Sequence, residues 1–124
     1  MKVSRHLPAL SLLALAFAAP AIAQDVKAAL LAPEGFKVDW ICIDNTRRFT
    51  GRSEVAFKEE GGKIVANVNN FSRGTCKSDV TMGEAGPSWP GCRGTVLQMK
   101  FNTNDKSVPF TGAGGDCTYE FRPR

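Results

Sequence analysis

Residues 53–69 read Ser-Glu-Val-Ala-Phe-Lys-Glu-Glu-Gly-Gly-Lys-Ile-Val-Ala-Asn-Val-Asn, and this stretch decides the fold class. Val55 and Phe57 alternate with Glu54 and Lys58. Beyond Glu59-Glu60-Gly61-Gly62, Ile64, Ala66 and Val68 alternate with Lys63, Asn67 and Asn69. A period of two places each set on one face of a strand. Two such runs across a Gly-Gly pair predict a β-hairpin, because glycine reaches the positive φ angles that tight turns demand. A lone hairpin is marginal in water, so other strands must cover its apolar face.

The flanking sequence supplies them. Upstream, Phe36, Val38, Trp40 and Cys42 share one face of a strand over residues 36–44, with Lys37 and Asp39 opposite. Residues 45–51 read as a loop. Downstream, Cys76, Ser78, Val80 and Met82 share a face over 75–82, and Leu97, Met99 and Phe101 do so over 95–101. Residues 83–91 hold Gly83, Gly86, Pro87, Pro90 and Gly91 and read as a loop. Pieces over 108–111 and 117–121 complete the set, split by Gly112-Ala113-Gly114-Gly115. The expectation is an all-β fold: a small antiparallel β-barrel or sandwich of six to seven strands. A short N-terminal helix precedes it, capped at Asp25, carrying Leu30 and Leu31 and stopped by Pro33.

Residues 1–23 read as a secretory signal peptide. Lys2 and Arg5 precede the apolar run 7–19, and Ala21 and Ala23 set up cleavage before Gln24. The run is too short to span a bilayer, which takes about 20 apolar residues. The Ala-rich end has a bacterial look, so the single domain 24–124 is expected in the periplasm or the medium, with no transmembrane segment. Two of the 16 Lys and Arg, and none of the 12 acidic residues, lie in the leader, so the net charge falls from +4 to +2. That mild excess gives little support to a nucleic-acid partner.

Cys42, Cys76, Cys92 and Cys117 form an even set behind a leader, which predicts two disulfides. In an up-and-down meander the end of the first strand and the start of the fourth share a rim. The start of the fifth and the last part of the final strand lie toward the other. This favours Cys42–Cys76 with Cys92–Cys117. The nested pairing, Cys42–Cys117 with Cys76–Cys92, suits a barrel whose first and last strands are neighbours.

Several chemistries are excluded by residue type. The one histidine, His6, lies in the leader, so the mature chain has no imidazole for serine–histidine or cysteine–histidine catalysis. No cysteine pair has metal-ligand spacing, and the glycines at 112–115 lack the Lys-Ser/Thr of a phosphate-binding loop. No metal and no cofactor is expected. A glycosidase needs two carboxylates about 5 to 10 Å apart. Asp39, Asp44, Glu54, Asp79, Glu84 and Glu120 are candidates, and no spacing selects a pair.

Two features stand out as binding candidates. Arg47, Arg48 and Arg52 form a local cationic cluster around Phe49, fit for a carboxylate or phosphate and equally for an ordinary solvated loop. Trp89, between Ser88 and Pro90, is either an aromatic anchor for a partner or a plug for the barrel end. The simple meander sets these two features at opposite rims, as independent candidates.

The plan resembles small secreted β-barrels, among them lipocalin-like carriers and the periplasmic inhibitors of lysozyme. The disulfide-tied segment Trp40-Ile41-Cys42 carries the second likeness, but the Ser-Gly stretch those inhibitors use has no counterpart here. No functional residue is carried over. The sequence thus points to a monomeric, non-catalytic binding or inhibitor-like module of the cell envelope. It would engage an envelope protein or a small ligand through rim loops. A lipocalin-like carrier of an apolar ligand is the alternative, and a carboxylate-dependent envelope hydrolase the third reading.

Overall fold

The computed structural model describes residues 23–71 and 74–124. The expected leader lies outside them, apart from Ala23. The chain divides into two units, Met1–Leu30 and Leu31–Arg124. In the first, residues 23–30 are helical. Asp25 therefore sits inside the helix and does not cap it. Among the described residues no helix is long and apolar enough to cross a membrane.

The second unit is a closed antiparallel barrel of eight strands joined in chain order. They are β1 (Phe36–Asp44), β2 (Arg47–Glu60), β3 (Lys63–Asn69), β4 (Thr75–Gly83), β5 (Gly86–Pro90), β6 (Val96–Phe101), β7 (Phe110–Gly114) and β8 (Cys117–Pro123). The hairpin read from residues 53–69 is present, with Phe57 opposite Ala66 and Val55 opposite Val68. Gly61 and Gly62 make the turn with φ of 59° and 79°.

The count of six to seven strands is corrected to eight by β5, which lies within the expected 83–91 loop. Pro87 and Pro90 lack the N–H that a ladder uses, so their sequence looks like a loop. Burial overrides that tendency. Pro87 and Trp89 face the core, and three residue pairs tie β5 to each neighbour. The expected 45–51 loop is also corrected. Only Asn45 and Thr46 form the turn, Asn45 at φ 52°, and β2 starts at Arg47. Asparagine tolerates that left-handed conformation better than most residues.

Inside the barrel the apolar faces meet. Phe36 packs edge-on against Phe57, Phe110 and Phe121 at ring separations of 6.0, 5.8 and 6.2 Å. Trp89 meets Phe57 at 5.9 Å, and its indole N–H points to Met99 Sδ at 3.2 Å. Such edge-to-face pairs add about 0.5–1.5 kcal/mol each beyond burial. Two glycines make room for large neighbours. A Cβ on Gly51 would overlap the Trp40 ring, and one on Gly112 would come within 3.0 Å of Leu97.

Both disulfides form, in the nested pairing: Cys42–Cys117 and Cys76–Cys92. The favoured alternative is overturned by β5. One added strand reverses chain direction after β4, so Cys92 lies at the same end as Cys76. The pairing of β1 with β8 closes the barrel and sets Cys42 directly opposite Cys117.

Candidate functional site

The barrel end that carries the disulfides also carries the β1–β2 turn, the 70–74 connection, the 91–95 connection and the β7–β8 turn. The arginine cluster is there, on a strand arm and not on a loop. Arg47 and Phe49 have the inward parity of β2, whereas Arg48 and Arg52 have the outward parity. On one face, four residues apart, Arg48 and Arg52 are about 13 Å apart along the strand. Phe49 is 45% exposed at the rim, beside the Cys42–Cys117 bridge. Arg47 and Arg48 form no ion pair among the described residues.

Arg52 belongs to a charged ladder on the outer face of β8, β1 and β2. Its Nε donates to Asp39 Oδ1 at 3.1 Å, directly across the β1–β2 pair, while the side chain stays 82% exposed. Arg122 meets the other Asp39 oxygen at 3.6 Å and Glu120 at 3.4 Å. Arg124 pairs with Glu54 at 2.8 Å. Each exposed pair contributes only about 0–1 kcal/mol, so an incoming acid can displace it at little cost. A shallow groove of about 420 Å³ runs over this ladder, lined by Lys37, Asp39, Arg52, Ser53, Glu54, Phe71 and Arg122. Ser53 is buried, and its hydroxyl hydrogen-bonds to Asn70 Oδ1 at 3.3 Å. Asn70 N in turn donates to Gly74 O.

Trp89 is 4% exposed and lies in the core. That burial leaves no exposed indole face to serve as a surface anchor. The two candidates therefore do not combine. Sequence reasoning also missed Arg93, which lies at the arginine end because β5 turns the chain back there. Tyr119, on the inward face of β8 opposite Trp40, feels that charge. Burial raises its pKa above the ordinary 10.0, and Arg93 works weakly against the shift. The Asp39–Arg52 pairing was legible only through the Asn45–Thr46 turn, which sets the register of β1 against β2. Among the described residues no cluster of His, Cys, Asp or Glu could hold a metal ion.

Comparison with models of protein families, with curated proteins and with solved structures found no match to this chain.

Proposed function

We propose that this protein is a non-catalytic binding or inhibitor-like module of the bacterial cell envelope, acting as a monomer. Its working surface is the arginine-bearing β1–β2 arm, and its partner presents acidic groups. One observation carries the reading: Arg47 and Arg48 are exposed and unpaired among the described residues, and Arg52 is held by a single exposed contact. Guanidinium groups left open in this way offer forked donors to carboxylates. The envelope location rests on the leader read from the sequence.

The filled interior supports surface binding over carriage. Phe36, Phe57, Phe110, Phe121, Trp89 and Met99 are all buried within the barrel, and the groove over Asp39 lies outside it. The carboxylates of Asp39, Glu54 and Glu120 each face an arginine, an arrangement suited to a surface ladder more than to a catalytic pair. The test is affinity capture from envelope extract with the wild type and with Arg47→Ala/Arg48→Ala/Arg52→Ala, once both are verified as folded. Partners lost by the triple variant are expected. Partners retained equally by both would refute the proposal.

A further inference from the structure

β2 is longer than either neighbour that pairs with it. On the β1 side it is paired from Arg47 to Val55, and on the β3 side only from Glu54 to Glu60. Among the described residues, 47–53 therefore have one unpaired edge. Among the described residues no backbone bond reaches that edge from another segment.

The direction of each backbone group follows from two observations. Ile43 N donates to Asp116 O on the β8 side, so the N–H and C=O of Cys42 point to β2. A two-residue turn also makes Asp44 and Arg47 a hydrogen-bonded pair. Alternation along an antiparallel ladder then directs Phe49, Gly51 and Ser53 to β1. Arg48, Thr50 and Arg52 present their N–H and C=O groups at the open edge. Their side chains lie on the outer face, two of them cationic, with Thr50 between. Phe49 and Gly51, with the Trp40 ring over Gly51, supply apolar surface on the other face.

We infer that this edge takes up an extended acidic peptide as an added antiparallel strand. The inference rests on the arginine reading above and names its partner class. The register sets acidic residues four apart, opposite Arg52 and Arg48, with apolar residues opposite Gly51 and Phe49. Main-chain bonds from Arg48, Thr50 and Arg52 give affinity, and alternate side chains give selectivity. A second copy is disfavoured by charge. Two β2 edges paired about a twofold would set Arg48 against Arg52 twice, and like charges directly opposite destabilise a ladder.

The test uses the full mature protein and a fluorescein-labelled peptide, Ser-Thr-Glu-Val-Thr-Val-Glu-Thr-Ser, read by anisotropy. One comparison peptide replaces both glutamates with lysine, and a second carries an N-methyl group on its central threonine. Thr50→Pro removes one open-edge donor and leaves the β1 ladder its bonds, since proline is tolerated where the N–H faces solvent. Expected are binding about tenfold or more tighter than the lysine peptide, and a comparable loss on N-methylation or in Thr50→Pro. The N-methyl peptide keeps the test decisive if Thr50→Pro fails to fold. Unchanged binding of the N-methyl peptide would overturn strand addition while leaving the arginine reading intact. No binding, or no preference for glutamate over lysine, would overturn the inference, and extract capture then judges the arginine reading separately. A wild-type dimer that Thr50→Pro converts to monomer would assign the edge to a second copy and overturn it too.

Discussion

Truncating Phe57 removes the side chain that joins both halves of the core. Phe57 is 2% exposed and touches three rings: Phe36 at 6.0 Å, Trp89 at 5.9 Å and Phe121 at 6.5 Å. Its β3 partner Ala66 is small and fully buried, so it cannot expand into the space left behind. A buried Phe→Ala change costs about 3–5 kcal/mol, and this site belongs at the upper end because three ring contacts go with it. A domain of this size has about 5–15 kcal/mol in total, so Phe57→Ala should be near its folding limit. Lys58, the next residue, is exposed, and Lys58→Ala should stay within about 0.5 kcal/mol. Phe57→Leu keeps most of the apolar volume and should fall between them. Guanidinium melts with the disulfides intact give the three values. Equal losses for Phe57→Ala and Lys58→Ala would refute the register, since a one-residue slip exchanges the two faces.

Gly51→Val should displace the Trp40 ring and destabilise by about 1–3 kcal/mol, visible as a shift in tryptophan emission; a wild-type spectrum and melt would contradict the packing. Proteolysis without reductant, followed by mass spectrometry, should recover peptides joined at Cys42–Cys117 and Cys76–Cys92 and no free thiol. Serine replacement of the pair separated by 75 residues should cost about 4.5 kcal/mol by loop entropy, against about 3 for the pair separated by 16; the reverse order would count against that account. Tyr119 is the one tyrosine, so phenolate absorbance reports it alone. Its native midpoint should lie above 10.0, because burial raises its pKa. The unfolded chain then loses the proton first, so this contribution to stability is whole below pH 10.0 and is lost as pH rises through the folded value. A native midpoint at or below that of the denatured chain would contradict the half-buried placement.

Much of the barrel was legible because its strands alternate cleanly. Val55, Phe57, Ile64, Ala66 and Val68 carry the period, and each is buried. What failed was punctuation. Pro87 and Pro90 disguised β5, and Gly51 broke the alternation of β2, where the absent side chain belongs to the space filled by Trp40. One hidden strand had wide consequences. It inverted the rim assignment of all that follows β4, and with it the disulfide pairing and the position of Arg93. The arginines were visible as a cluster, but not as members of a strand. Whether Arg48 and Arg52 share a face depends on register, and register depends on a turn only two residues long. The open edge of β2 was not legible at all, because it arises from the different extents of pairing with β1 and β3.

Residue-resolved amide hydrogen exchange in β2 tests that edge most directly. From Glu54 to Glu60, with strands on both sides, protection should be continuous. From Arg47 to Ser53 it should alternate: slow exchange at Phe49 and Gly51, which donate to β1, and fast exchange at Arg48, Thr50 and Arg52, which face no strand among the described residues. Uniform protection from Arg47 through Glu60 would mean that the edge is covered. The arginine arm would then not be the open binding surface described above.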